Sequence, residues 1–151
     1  MNNLDLLIDL HQHNPRQGPG DDVQTALALR LSGVDTAAPL RVADIGCGTG
    51  AATLALARLL PQSQITAVDF LPPFLARLRQ RSEAAGLSGR IRTLEASMDA
   101  LPFDDGQFDL LWSEGAIYNM GFENGVKSWR RLLRSGGVLA VSELTWTTGD
   151  R

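Results

Sequence analysis

Short apolar stretches alternate with segments of helical periodicity along most of the chain. Within the short stretches, apolar residues occupy nearly every position, which is typical of parallel strands buried on both faces. Between them, apolar residues recur three and four positions apart, as they do on one face of a helix. The pattern predicts strands at residues 40–45, 64–70, 91–96, 108–113 and 137–144.

Turn and capping residues predict where the helices begin and end. A helix over residues 2–13 is followed by the turn-rich segment "NPRQGPGD". Asp21 or Asp22 can then cap a helix that runs to Ser32. Further helices are predicted at 51–60, from Pro72 to just before Gly86, and at 122–134, where "SGG" ends the last one.

Strands that alternate with helices predict an α/β fold, a doubly wound open parallel sheet in three α/β/α layers. Right-handed crossovers give this Rossmann-like sheet the strand order 3-2-1-4-5. Ligands of such sheets bind beyond the carboxyl ends of the strands, where the strand order reverses. We therefore expect a ligand site between strands one and four.

Composition narrows the class of protein. Hydrophobic residues make up 44% and charged residues 21%, an ordinary globular balance. The net charge of −3 argues against general binding to nucleic acid or to an anionic membrane. The single cysteine, Cys47, excludes an internal disulfide, and no Cys/His spacing suggests a metal site. Without a signal-peptide pattern or a membrane-spanning apolar run, we expect a cytoplasmic protein.

The glycine-rich segment "DIGCGTGA" follows the first predicted strand and has two interpretations. Gly46-x-Gly48-x-x-Ala51 satisfies the dinucleotide fingerprint of an NAD-dependent oxidoreductase. Alternatively, the acidic Asp44 precedes three glycines at alternate positions, the last of them Gly50. Asp44 would repel a pyrophosphate and attract a cationic ligand such as S-adenosylmethionine, which has an ammonium, a sulfonium and no phosphate. Another possibility is that Asp44 only orders the loop through hydrogen bonds to backbone N–H groups.

Two residues at the end of the second predicted strand fit either nucleotide. The carboxylate of Asp69 can accept hydrogen bonds from both ribose hydroxyls. Phe70 follows directly and can stack on an adenine, with an ordinary core contact as the alternative.

Four motifs in the same order resemble class I S-adenosylmethionine-dependent methyltransferases over about residues 40 to 144. "VADIGCGTG" resembles the glycine motif of that family and "ITAVDF" its ribose-binding strand. "MDALPFDDGQFDLLWS" resembles the segment after strand three, and "LLRSGGVLAVSE" the fifth-strand motif. The stretch "QGPG…EGAIYNMGFE…WRRLL" is similar to a small-molecule subgroup, which implies a small-molecule methyl acceptor.

The resemblance implies further cofactor contacts. It places Asp99 at the adenine amino group and the backbone of Met98 at the ring edge, whereas sequence alone also allows Asp99 to be a helix cap. It also folds the segment before strand one over the cofactor, with Gln17 and Gly18 near the methionine end. The predicted cofactor site comprises Asp44, Gly46, Cys47, Gly48, Gly50, Asp69, Phe70, Met98, Asp99, Gln17 and Gly18.

The resemblance also divides the chain. Residues 1–39 would form N-terminal helices and a cofactor-covering segment, and residues 40–151 a methyltransferase domain lacking the family's C-terminal strands. Strand five would then be a sheet edge with unpaired backbone groups, and Trp146 would lack a partner. We expect a homodimer through residues 138–144 unless the N-terminal helices cover this edge.

Methyl transfer needs few catalytic residues, because alignment of the nucleophile can supply roughly 7–11 kcal/mol. Glu114 and Tyr118 follow strand four and are the candidates for a base or a substrate contact, with loop hydrogen bonding and aromatic packing as their alternatives. His11 and His13 are expected to be solvated. A non-catalytic methyltransferase-like binding module is the alternative function.

Overall fold

The computed structural model describes residues 3–145, and Trp146 lies outside the described residues. The helices are α1 (Asn3–His11), α2 (Asp22–Ser32), α3 (Ala51–Leu59), α4 (Pro72–Ala84) and α5 (Phe122–Trp129), with short 3-10 helices at Ile117–Asn119 and Arg130–Leu132. The strands are β1 (Arg41–Ile45), β2 (Gln64–Asp69), β3 (Ile91–Glu95), β4 (Phe108–Glu114) and β5 (Leu133–Ser142).

The sheet confirms the predicted fold class. Its five strands run parallel in the order β3-β2-β1-β4-β5. The central β1 pairs with β2 on one side and with β4 on the other. The order therefore reverses between β1 and β4, where a doubly wound sheet opens a crevice for a ligand.

Successive residues of β1 enter two separate cores, one on each face of the sheet. Val42 packs with helix residues such as Leu56 and Leu78 in one cluster. Ala43 and Ile45 belong to the other cluster, on the opposite face. A strand covered on both faces has to be apolar at nearly every position, which explains the pattern seen in the sequence.

The connection into β5 differs from the prediction. Helix α5 ends at Trp129, and "SGG" lies inside β5 instead of ending a helix. The register with β4 shifts in this stretch, and Gly136 has a φ of +74°. A side chain on Gly137 would come within 3.0 Å of the Arg134 carbonyl oxygen. The two glycines therefore form a bulge that approaches neighbouring backbone, a tertiary requirement that resembles a helix stop in the sequence.

Helix α2 begins and ends as its capping residues predict. The side chain of Asp21 accepts from the backbone N–H of Gln24, whose own side chain bonds back to complete a capping box. Gly33 closes the helix in the left-handed conformation with a φ of +71°. These caps fix the start of α2 immediately after the segment that covers the sheet's carboxyl edge.

Candidate functional site

A cavity of about 470 Å³ opens beyond the carboxyl ends of β1, β2 and β4. Its volume lies in the range of ~300–1,000 Å³ that small-molecule sites occupy. The glycine loop, the end of β2 and the segments after β3 and β4 form most of its wall, and N-terminal residues close it. The predicted site residues that line it are Gln17, Gly18, Asp44, Gly46, Cys47, Gly48, Asp69, Phe70, Met98, Glu114 and Tyr118.

Two predicted site residues, Gly50 and Asp99, are not among the residues that line the cavity. Gly50 is the N-cap of α3, and a Cβ added there would overlap the side chain of Leu78. It therefore allows close packing of α3 on α4. Asp99 is exposed in a turn after β3, where there is no helix for it to cap. The neighbouring Met98 does line the cavity, and its carbonyl oxygen accepts from Trp129 Nε1 at 2.8 Å.

The backbone of the glycine loop is already hydrogen-bonded within the protein. Each N–H from Gly46 to Gly50 donates to an acceptor of the chain at 2.8 to 3.0 Å. A pyrophosphate is held by free N–H groups of such a loop, so this loop is not arranged as a phosphate cradle. The acceptors are the carbonyl oxygens of Val68 and Cys47, the carboxylate of Asp69 and the side-chain oxygen of Gln17.

Asp44 lies at the floor of the cavity and is almost fully buried. Thr53 Oγ1 donates to its carboxylate at 2.5 Å. Burial raises the pKa of Asp44 to about 7, and the negative charges of Glu114 and Asp69 add to the shift. Because the N–H groups of the loop donate to other acceptors, the loop-ordering interpretation of Asp44 is wrong. Its carboxylate is instead a buried acid that a cationic ligand would stabilise.

Asp69 connects the end of β2 to the glycine loop. One carboxylate oxygen accepts from Gly48 N–H at 2.8 Å and the other from Leu71 N–H at 2.9 Å. Burial raises the pKa of this carboxyl, and the backbone hydrogen bonds lower it in part. Each oxygen keeps acceptor capacity toward the cavity. Phe70 is 64% exposed at the cavity wall, so the core-contact alternative for this ring is wrong.

Cys47 is buried in the loop, where its thiol approaches the carbonyl oxygen of Gly48 at 3.5 Å. Burial raises the pKa of the thiol, and the charges of Asp44 and Asp69 raise it further. Nucleophilic cysteines react as thiolates, so this arrangement favours the packing role expected from the sequence.

Glu114 is engaged by three donors. Its carboxylate accepts from Arg16 at 2.6 Å, from Thr25 Oγ1 at 2.7 Å and from Trp112 Nε1 at 2.9 Å. The ion pair with Arg16 is largely buried on both sides. A base must offer a free lone pair to its substrate, so the geometry favours the loop hydrogen-bonding alternative for Glu114.

The N-terminal strap, residues 11–19, is tied across the glycine loop by side chains that sequence reasoning missed. Gln17 Nε2 donates to Thr49 Oγ1 at 2.7 Å. Arg81 donates to the carbonyl oxygens of Pro15 at 3.0 Å and Thr49 at 2.8 Å. Arg81, near the end of α4, therefore helps to attach the strap to the glycine loop. No local signal marks these residues, because their partners are distant in sequence.

Three further side chains complete the mouth of the cavity. His11 and Leu7, one helical turn apart on α1, both line it. His11 Nδ1 is buried without a hydrogen-bond partner, so the expectation of a solvated histidine is wrong here, whereas His13 is exposed. Tyr118 also lines the cavity and is 62% exposed, so the packed-aromatic alternative for this ring is wrong.

Within residues 3–145, no helix is long and apolar enough to cross a bilayer. The same residues contain no group of three or more His, Cys, Asp or Glu side chains that could hold a metal ion.

Comparison with known proteins identifies the family. A family model described as a methyltransferase domain matches residues 42–137, and the chain belongs to this family. The demethylmenaquinone methyltransferase of Thermus thermophilus is 39% identical over 121 residues, which cover 78% of this chain and 54% of that protein. The ubiquinone/menaquinone biosynthesis C-methyltransferase UbiE of Pseudomonas savastanoi is 34% identical over 123 residues, covering 80% and 47%. The chain thus spans about half the length of the curated relatives it matches.

Solved structures share the fold. A methyltransferase from Geobacter sulfurreducens in complex with S-adenosyl-L-homocysteine is 26% identical, with a TM-score of 0.72 over 90% of this chain and 52% of that one. The [4+2]-cyclase SpnF is 28% identical, with a TM-score of 0.75 over the same shares, 90% and 52%. The resemblance to class I S-adenosylmethionine-dependent methyltransferases is therefore confirmed, and the dinucleotide interpretation of the loop is not supported.

Proposed function

We propose that the chain binds S-adenosylmethionine in this cavity and transfers its methyl group to a small-molecule acceptor. The observation that carries the proposal is the combination of a buried acid, Asp44, with a glycine loop whose N–H groups are all used within the protein. Such a site disfavours a phosphate and favours a ligand with positive charge. Membership of the methyltransferase family supports the same cofactor.

The adenosine half of the cofactor would lie along the ends of β2 and β3. The carboxylate of Asp69 would accept from the ribose hydroxyls, using the acceptor capacity that its backbone hydrogen bonds leave. The exposed ring of Phe70 would stack on the adenine. Met98 would contact the ring edge through its backbone. Asp99 stays a prediction from the resemblance, since its exposed side chain is not among those that line the cavity.

The methionine half would lie between the glycine loop and the N-terminal strap. Asp44 provides negative charge beneath the loop, and the strap residues Gln17 and Gly18 line the same space. When bound, S-adenosylmethionine supplies an electrophilic methyl group. The protein's part is then to fix the cofactor and the acceptor in line and to exclude water. Tyr118 would contact the acceptor, and Glu114 would position the strap through Arg16.

Calorimetric titration of the purified chain with S-adenosylmethionine, S-adenosylhomocysteine and NAD tests the cofactor assignment. We expect binding of the first two and none of the third. Incubation with methyl-labelled cofactor and candidate acceptors then tests transfer. Binding of NAD in preference to S-adenosylmethionine would contradict the proposal.

The alternative is a module that binds the cofactor without transferring its methyl group. The similarity to a structure named as a [4+2]-cyclase supports this alternative, because one fold can carry chemistry other than methyl transfer. Retained binding without label transfer to any acceptor would favour this alternative.

We also propose that the chain self-associates through the β5 edge, residues 138–144. Within the described residues β5 pairs only with β4, and Leu144 beyond it is 81% exposed. Helix α2 flanks β5 but leaves a cavity of about 410 Å³ between them. Val141 packs toward a core cluster, so a substitution there would also disturb the core. Leu144→Lys changes the edge alone and is the variant to test. Sedimentation should show a concentration-dependent dimer that this variant weakens, and a monomer at all concentrations would reject the idea.

The absence of a nucleic-acid partner and the cytoplasmic location stay predictions.

A further inference from the structure

The carboxylates that line the cavity are already committed to other groups. Asp44 accepts from Thr53 and, under the proposed function, faces the positive charge of the cofactor, and Glu114 accepts from three side chains. Asp69 holds two backbone N–H groups and, under the proposed function, the ribose. A group that removes a proton from an acceptor has to come from elsewhere on the wall.

His11 is a titratable cavity residue whose side chain has no hydrogen-bond partner among the described residues. Its Nδ1 is buried and unpaired, although an unsatisfied buried polar atom costs about 1–3 kcal/mol. Proton exchange with a ligand therefore falls to the other ring nitrogen, Nε2. Imidazole is the most frequent general base in enzymes.

The backbone of His11 is held in place relative to the glycine loop. Its carbonyl oxygen accepts from Gln17 Nε2 at 3.1 Å and from Asn14 N–H at 3.0 Å. The same Gln17 nitrogen donates to Thr49, the loop residue before Gly50. A catalytic group needs this kind of support, because small misplacements cost rate.

We propose that His11 is the acid–base residue for the methyl acceptor, and that the acceptor is an apolar molecule with an acidic hydroxyl, such as a phenol or an enol. The inference rests on the proposed function and names its substrate class. Leu7, Ala116 and the exposed ring of Tyr118 line the same cavity as His11 and give it apolar surface for such an acceptor. An amine or thioether that already has a free lone pair would not need it.

The proton and electron balance of the step is simple. His11 takes the hydroxyl proton as the acceptor's oxygen, or the carbon next to the one that bears the hydroxyl, attacks the methyl carbon of the cofactor. The bond from that carbon to sulfur breaks, its electron pair stays on sulfur, and S-adenosylhomocysteine leaves neutral at that atom. If carbon is the nucleophile, its own hydrogen is then lost as a proton and the hydroxyl is restored. The imidazolium finally releases its proton to water.

Nuclear magnetic resonance of the full chain tests the contact without requiring turnover. The imidazole Cε1–Hε1 signals of His11 and His13 are assigned with His11→Asn and His13→Asn. The probe is 1,4-naphthohydroquinone, the ring system of the substrate named for the Thermus relative, added anaerobically to the chain saturated with S-adenosylhomocysteine. We expect the His11 signal to shift with saturation and the exposed His13 to serve as an unchanged control. An unmoved His11 signal overturns the proposal.

Label transfer from methyl-labelled S-adenosylmethionine to the same probe gives the second test. His11→Asn should lower kcat by about 100-fold or more, with the cofactor dissociation constant unchanged, and His13→Asn should match the parent chain. Wild-type kcat in His11→Asn, or a loss explained by weaker cofactor binding, overturns the proposal. A parent chain that binds S-adenosylhomocysteine but transfers no label to this probe or to any other acceptor contradicts the proposed function, and the resonance shift still decides the role of His11.

Discussion

The cavity has two walls that are built in different ways. One wall is carried by the sheet: the glycine loop between β1 and α3, and Asp69 at the end of β2. The N–H groups of Gly46, Cys47, Gly48 and Gly50 in this wall all donate to acceptors within residues 46–71, close in the chain. The other wall is the N-terminal strap, which is attached by a few side chains to residues far along the sequence.

The two walls therefore differ in mobility: the sheet-borne wall is rigid, and the strap can open. The sheet-borne wall cannot move without disrupting the buried core on both faces. The strap can lift at the cost of a few polar contacts, while the sheet stays intact. Cofactor affinity should therefore depend steeply on the first wall and weakly on the second, and the changes below test this in order of expected effect.

Adding one carbon to the sheet-borne wall should have the largest effect. Gly46 has a φ of +75°, and a Cβ there would overlap the side chain of Ala116. Gly46→Ala should cost about 1–3 kcal/mol in strain and abolish S-adenosylmethionine binding in calorimetry. The matched control is Gly33→Ala at the end of α2, which has a similar φ of +71°, where an added Cβ meets nothing within 4 Å and which is not among the residues that line the cavity. Normal binding by Gly46→Ala would place the cofactor elsewhere.

Removal of the carboxylate at the end of β2 should come next. Asp69→Ala should weaken S-adenosylmethionine binding by ~1.5–3 kcal/mol, the range for hydrogen bonds to a charged group. Asp35→Ala is the control, because Asp35 accepts from the N–H two residues on at 3.0 Å, just as Asp69 does, but is not among the residues that line the cavity. Equal affinities for both variants and the parent chain would remove Asp69 from the ribose site.

The affinity for S-adenosylmethionine should depend on pH through the ionisation of the buried Asp44. Because burial raises the pKa of Asp44 to about 7, the carboxylate that attracts the cationic cofactor forms only as the pH rises through that value. Affinity should increase by up to about tenfold between pH 6 and 8, and Asp44→Asn should show weak binding without this slope. A flat profile for the parent chain would contradict the assignment.

The same group sets the direction of a stability change. The folded-state pKa of Asp44, about 7, lies above its ordinary value of 3.8, so the folded chain binds more protons between the two. The contribution of Asp44 to the free energy of unfolding should fall as the pH rises from about 4 to 7. Without ligand, Asp44→Asn should therefore melt higher than the parent chain at pH 8, with a smaller difference at pH 5.

Loosening the strap should have the smallest effect on affinity. Arg16→Ala removes the ion pair with Glu114 and should lower the free energy of strap opening by about 1.5–3 kcal/mol. Hydrogen exchange over residues 11–19 should accelerate, yet the closed strap stays populated and cofactor affinity changes little. Lys127→Ala, which removes an exposed ion pair with Glu123, is the control. Loss of binding in Arg16→Ala would show that the two walls are equally important.

The sequence alone predicted the sheet order correctly, and it put the glycine loop after β1 and Asp69 at the end of β2, where the structure has them. Each depends on local regularities: apolar runs, turn residues and the spacing of a motif along one strand–loop–helix unit. The end of α5 could not be predicted in the same way. The glycines at 136 and 137 satisfy a helix stop and a strand bulge equally well, and only the approach to β4 selects the bulge.

Tertiary structure decided which polar side chains are available for chemistry. Arg16 and Glu114 are 98 residues apart and Gln17 and Thr49 are 32 apart, and nothing local links either pair. The first pair occupies Glu114, whereas Nδ1 of His11, a residue of the cavity wall, has no hydrogen-bond partner. A motif indicates which interactions a residue can make. Whether that residue is free to make them depends on which distant partner folding brings within hydrogen-bond distance.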